Sequence, residues 1–249
     1  MEAKYQIAMK SISGTRDEQQ DCSFYHIDKN HVFAVVCDGM GGMAKGQIAS
    51  SMSVEKIKSL FFSKSETEDY PSFFLRSVDI LDEHILSLKN DMGERLSTGT
   101  TIVAVAIEND KLFWLSVGDS RLYLLREQEI VQVTRDHNYF MNLEQMKKEN
   151  NINQSQYDIE SKKGEALISF IGMGGIQIMD INKKPFHLIN GDTVLLTSDG
   201  LYKALTDAEI LNILNNDNVE TALSDLINRS VERSMVFQDN TTCIVIRYC

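Results

Sequence analysis

The chain reads as an α+β protein built in layers, and three observations predict this. Strand-like apolar runs are joined by short polar turns. The helical stretches come in pairs between runs of strands. No Pro/Gly/Ser-rich linker or internal repeat divides the 249 residues. Short connections between strands favour antiparallel pairing, and helices grouped in pairs argue against a doubly wound parallel sheet, in which strands and helices alternate. A chain of this length can bury a sizeable core, and nothing in it demands a second domain.

Each element has its own signal. HVFAVVC (residues 31–37) is a continuous apolar run, as expected of a strand buried on both faces. A helix is predicted from around Ala44, with Ile48, Met52, Ile57, Leu60 and Phe61 near one face. In a second helix Phe74, Val78, Leu81, Ile85 and Leu88 are spaced four, three, four and three apart, an apolar stripe facing a core. TTIVAVAIEND, KLFWLSVGD, SRLYLLREQE and EIVQVTRD read as four consecutive strands of one antiparallel meander. Residues 138–165 are polar and weakly periodic, which suggests short helices in a mobile insertion. HLINGDTVLLTSD gives another strand, and Thr206-Asp207-Ala208-Glu209 is a capping box opening a helix. Val219, Ala222, Leu223, Leu226 and Ile227 share one face of a further helix, and TTCIVIRY closes the chain as a strand.

Composition narrows the function. The formal net charge of −11 disfavours a nucleic-acid partner. No window approaches the roughly 18–20 apolar residues of a membrane span, and the N-terminus lacks the apolar stretch of a signal peptide. The four cysteines (Cys22, Cys37, Cys243, Cys249) show no zinc or disulfide spacing, so a cytoplasmic protein with reduced thiols is the simplest account. Nothing signals oligomerisation, and a monomer is the default.

The informative residues are five aspartates where an apolar run meets a turn: Asp38 in VVCDGMGG, Asp119 in LSVGDSRLYL, Asp192 in NGDTVLL, Asp199 in LLTSDGLY and Asp239 in FQDNTTCIVI. Strand ends can converge at one edge of a β core, and clustered carboxylates suit hard divalent cations such as Mg²⁺ or Mn²⁺. Gathered acids repel, so they require a cation among them or raised pKa values. In DGMGG the three glycines are expected in a turn, with the Gly39 carbonyl available as a further oxygen ligand. Arg16 in GTRDEQQD offers a planar fork that matches phosphate oxygens. Asp192 suits an ordinary hairpin turn. The threonines of STGTT read as edge-strand residues, and His137 reads as a structural hydrogen-bonding group, with proton transfer as the alternative.

Taken in order, GTRDEQQD, VVCDGMGG, STGTT, VGDSRLYLLR, TRDH, GDTVLLTSDGLY and DNTTCIVI resemble the landmarks of the PP2C (PPM) metal-dependent protein serine/threonine phosphatases, in their compact bacterial form. The resemblance runs from about residue 14 to 246. It implies a four-layer α/β/β/α sandwich with two central antiparallel sheets flanked by helix pairs, as a single catalytic domain with a variable flap at about 138–174. It also implies that Asp38 bridges two Mn²⁺ or Mg²⁺ ions, that the Gly39 carbonyl binds one, and that Asp199 and Asp239 ligate the other. Asp21 would act through bound water, and Arg16 would hold the substrate phosphate. Asp119 would join Asp239 at a third ion. The implied reaction is hydrolysis of phosphoserine and phosphothreonine in proteins by a water activated between two ions. The implied partners are phosphoproteins, including a Ser/Thr kinase and its substrates.

The chain also departs from that pattern. Met40 stands where animal members carry a histidine thought to protonate the leaving group, and Gln20 replaces an acid. LISFIGMGG differs from the family's usual basic pattern. A catalytically silent phosphoprotein-binding scaffold would be favoured by a missing ligand acid, and none of the core acids is missing. A stress-type phosphatase acting on one small regulator usually carries a sensor domain, for which 249 residues leave no space.

Overall fold

The computed structural model describes residues 4–42, 45–234 and 236–249. In chain order its elements are β1 (Tyr5–Ile12), β2 (Asp21–Ile27), β3 (His31–Met40), α1 (Lys45–Phe62) and α2 (Tyr70–Leu86). Strands β4 (Gly99–Thr100), β5 (Ile102–Glu108), β6 (Lys111–Val117), β7 (Arg121–Arg126) and β8 (Glu129–Gln132) follow. Next come α3 (Tyr139–Lys148), α4 (Gln154–Glu160), β9 (Asp180–Ile181), β10 (Phe186–His187) and β11 (Thr193–Thr197). The chain ends with α5 (Asp199–Tyr202), α6 (Asp207–Leu214), α7 (Val219–Ser234) and β12 (Thr241–Tyr248).

One sheet has the order β1-β12-β11-β7-β8. The other has the order β10-β6-β5-β3-β2, with β4 paired to β3 and β9 to β6. Every pairing within them is antiparallel. Side chains alternate faces along a strand, and β3 shows the result. Phe33, Val35 and Cys37 pack with Phe73, Phe74 and Leu81 of α2, whereas Val32, Ala34 and Val36 meet Val194, Leu196 and Ile244 of the opposite sheet. On the far side Leu195, Cys243 and Val245 pack against α6 and α7 through Ile210, Leu223 and Leu226. Three apolar layers thus separate four layers of backbone, the α/β/β/α sandwich that the motifs implied.

The helices mostly match their signals. Thr206 and Glu209 form the capping box at the start of α6, and the five-residue stripe of α7 is buried. In α2 Asp69 caps the first turn, and Leu88 packs on the core from just past the last one. α1 differs. Ile48 is exposed, and the buried face is Gly46, Ala49, Ser50, Ser53, Val54 and Ile57. Small residues take the sheet-facing positions because the helix start lies almost in contact with β3. Ala44 lies outside the described residues.

The predicted four-strand meander is corrected. β5 pairs with β6 and β7 with β8, but β6 and β7 belong to different sheets. The chain crosses between sheets at Gly118-Asp119-Ser120, where Gly118 adopts φ +103°. In the insertion at 138–174, α3 and α4 are the expected short helices. Its end is pinned from below: the buried Asp82 carboxylate of α2 accepts N–H bonds from Gly172 (2.7 Å), Gly174 (3.2 Å) and Gly175 (2.8 Å). Among the described residues no helix is long and apolar enough to cross a membrane.

Candidate active site

Both sheets send aspartates to the same end of the sandwich. In β2 and β3, Asp21 and Asp38 are directly opposed in register, and the alternation of β3 aims Asp38 into the space between the sheets. Like charges placed opposite each other on neighbouring strands repel. The other sheet supplies Asp199, the first residue of α5, and Asp239, just before β12. A cavity of about 360 Å³ opens here, lined by Arg16, Asp38, Gly39, Asp199, Asp239 and Asn240 among others. Larger clefts exist, such as one of about 580 Å³ beside Met40, Arg95 and Phe170. The carboxylates, not the cavity size, distinguish the site.

Hydroxyls and amides fix Asp38 and Asp21 in place. The Asp38 backbone N–H donates to Thr101 Oγ1 at 3.0 Å, and its carbonyl accepts from the Thr101 N–H and the Thr100 hydroxyl, both at 2.8 Å. Ser198 Oγ donates to Asp21 Oδ2 at 2.7 Å and accepts the Thr242 N–H, which stitches the two sheets together behind Asp38. Asn240 accepts the Gln20 N–H and donates to the carbonyls of Ser13 and Glu18, holding the loop that carries Arg16. Ser198 and Asn240 were not singled out in the sequence. The threonines expected to be edge-strand residues are the cradle of Asp38.

The expectation for DGMGG is corrected in detail. β3 continues through Met40, so Gly39 lies in a strand paired with β4. Of the three glycines only Gly41 has a positive φ, +126°. Gly39 is required for a different reason. A Cβ there would sit inside contact distance of the Gly46 carbonyl and 2.7 Å from the Gln20 carbonyl. Asp199 likewise opens a helical turn and does not lie in a plain strand-end turn.

Two of the acids are paired with cationic side chains. Arg16 forks onto Asp239 (Nε to Oδ1 2.9 Å, Nη2 to Oδ2 2.8 Å) and stacks over Phe237. Lys203 Nζ lies 2.7 Å from Asp199 Oδ2. Among the described residues no three His, Cys, Asp or Glu side chains close around a single point. The donor set nevertheless fits a hard divalent ion. Asp21 Oδ1 is buried without a hydrogen-bond partner. Burial first, and then the charges of Asp21, Asp199, Asp119 and Asp239, push the Asp38 carboxyl well above the usual carboxylate range. Burial also raises Asp21 to about 7, against the pull of its bonds to Ser198 and Thr242. Asp119, buried at the sheet crossing, rises to about 7 through burial and the charge of Asp199. Acids held this far out of balance are expected where a cation normally completes the charge.

The remaining residues stay apart from the cavity. Asp192 is buried and forked by Arg126 at 2.8 and 2.7 Å, a structural role. His137 is buried, with Nδ1 accepting the Gly118 N–H at 3.1 Å and Nε2 3.6 Å from Asp180. It supports the sheet crossing from behind. Asp21 and Asp119 sit behind the lining residues.

A pH dependence follows from these shifts. Between the ordinary aspartate pKa of about 4 and about 7, the folded metal-free chain binds more protons than the unfolded chain. Its stability therefore falls as pH rises through that window. Divalent ions compete with the same protons, so Mn²⁺ affinity rises towards about pH 7. In chelator, the wild type is expected to melt lower near pH 7 than near pH 5, and Asp21→Asn is expected to lose much of that slope. Equal slopes for the two proteins in a melting series would refute the assignment.

The comparisons with known proteins agree with this geometry. The family model described as protein phosphatase 2C matches residues 5–146, more than half of the chain. The chain belongs to the protein phosphatase 2C family. It is 26% identical over 223 residues to a serine/threonine phosphatase, stp, of Listeria monocytogenes, covering 87% of this chain and 84% of the relative. Its fold superposes on a serine/threonine phosphatase of S. agalactiae with TM-score 0.84 at 25% identity, over 98% of this chain and all of that one. The catalytic domain of the phosphatase PstP, in complex with two manganese ions, matches with TM-score 0.76 at 25% identity, over 98% of this chain and 97% of that one. As a protein phosphatase 2C member, the chain is an enzyme, a metal-dependent phosphoprotein phosphatase.

Proposed function

We propose that this phosphatase hydrolyses phosphoserine and phosphothreonine in proteins by direct attack of water on phosphorus, with two Mn²⁺ or Mg²⁺ ions at the strand-end carboxylates. The observation that carries this is the pair Asp21 and Asp38, opposed in register and facing Asp199 and Asp239 across the gap between the sheets. Asp38 would bridge the ions, with the Gly39 carbonyl on one and Asp199 and Asp239 on the other. Asp21, set behind Asp38, would act through water. The bound ions would supply an activated water and neutralise charge on the transferring phosphoryl group.

The protein's own part is positional. Arg16 gives Asp239 only two of its five N–H donors. The others are available to a phosphate at the cavity mouth, where a planar fork fixes its orientation. Arg16 lines the same cavity as Asp38, Asp199 and Asp239, and its bond to Asp239, then the charges of all three acids, favour its charged form. Met40 has no proton to give, so the leaving alkoxide must take its proton from elsewhere. The names of the relatives support serine and threonine esters as substrates. We extend the reading to a Ser/Thr kinase among the substrates, a single catalytic domain with 138–174 as its flap, and a cytoplasmic monomer.

Phosphopeptide turnover with and without Mn²⁺ tests this. Phosphoserine and phosphothreonine peptides should be cleaved only with the ion, and phosphotyrosine peptides poorly. Arg16→Lys keeps the charge but loses the fork, and should lower kcat/KM by roughly 10²-fold, the scale of losing one oriented donor. Turnover that survives chelation would sink the proposal.

A further inference from the structure

Lys203 sits on Asp199, one of the proposed ion ligands. It caps the short α5 turn, and its ammonium bonds Asp199 Oδ2 at 2.7 Å and Glu165 of the insertion at 3.0 Å. The two contacts are unequal. Glu165 is 69% exposed, and a pair that open to water contributes little. Asp199 is only 16% exposed, so its bond to Lys203 is the one that shapes the site. The Lys203 charge also reaches Asp119, where it opposes the upward push of burial and of Asp199 on that carboxyl. Tyr202, the neighbouring residue, donates its hydroxyl to the Asp119 carbonyl at 3.1 Å, while Arg121 stacks on its ring. This platform fixes the sheet crossing beside α5, and the ammonium with it.

We infer that the Lys203 ammonium serves as a built-in cation between Asp199 and Asp119, so that this site loads two divalent ions and excludes a third. The inference rests on the two-ion reading above. A further ion between Asp119 and Asp199 would compete for the Asp199 oxygen that Lys203 holds at 2.7 Å, and the ammonium charge that reaches Asp119 would repel it. Asp199 Oδ1 stays available for the ion it shares with Asp239. Lys203 is a positioning residue: it neutralises charge and orients Asp199 without touching substrate.

The test is the number of Mn²⁺ ions bound per chain, counted by calorimetry and by the spin-resonance signal of free Mn²⁺. Wild type should saturate at two. Lys203→Met should bind a third, more weakly, and the double variant Lys203→Met/Asp119→Asn should return to two. Lys203→Arg, which retains a cation, should also bind two. If Lys203→Met fails to fold, judged by circular dichroism, Lys203→Gln takes its place. Three ions in wild type, one of them lost in Asp119→Asn, would overturn the inference and leave the two-ion site standing. So would a count of two in every Lys203 variant. A wild type that binds no Mn²⁺ would overturn both.

Discussion

Asp38→Asn will be more stable than wild type in the absence of metal and inactive in its presence. The substitution replaces a carboxyl that burial first, and then the opposed Asp21 and the other acids, make costly to ionise. It also removes the one side chain proposed to hold both ions. Loss of an outer residue that only orients a metal ligand costs roughly 10–100-fold in affinity or activity. Loss of the bridge should exceed that, about 10³-fold or more in Mn²⁺-dependent phosphopeptide turnover. Melting in chelator should rise while turnover collapses. Turnover within tenfold of wild type would remove Asp38 from the centre of the mechanism.

Gly39→Ala will damage the fold and the site together. A Cβ at this position meets the carbonyls of Gly46 and Gln20, which are backbone atoms that no side-chain rotation can clear. The start of α1 would have to lift from β3, and the Gly39 carbonyl would move with it. Overpacking a close contact costs about 1–3 kcal/mol and occasionally more. At the upper end, melting falls by about 6–12 °C for a chain of this size. Gly46→Ala presses on the same contact from the helix side, 2.7 Å from the Gly39 carbonyl, so the two changes should not add. Unchanged melting and Mn²⁺ affinity in Gly39→Ala would show that the helix yields freely.

What the sequence revealed depended on how strongly each element is buried. β3, β5 and β12 are covered on both faces and read as apolar runs. β1 and β2 escaped notice because each is the outer strand of its sheet and half-exposed; of eight residues in β1 only Tyr5 and Ala8 are buried. The jump from β6 to β7 was hidden because a three-residue link between apolar runs ordinarily means a hairpin. The acids were visible as strand-end residues; Asp192 was read as a hairpin turn, but β10 and β11 lie in different sheets and its carboxylate is forked by Arg126. The supports at Thr100, Thr101, Ser198 and Asn240 were not visible as such, because a hydroxyl or amide that bonds backbone across the fold leaves no periodic trace. Lys203 carried no signal in the sequence until the structure set it on Asp199.

The placement of the acids has a consequence for the whole molecule. One sheet carries Asp21 and Asp38, the other Asp199 and Asp239, and between them runs a greasy layer with Ser198 as a polar stitch at this end. Ions seated there would act as a clasp on two covers that otherwise repel at their rim. Anything that binds only the folded state stabilises it by mass action, by about 2.7 kcal/mol at a hundredfold excess over Kd. Catalytic competence and the closing of this seam would then be one event, and a cell short of the ion would hold an enzyme that is both idle and ajar.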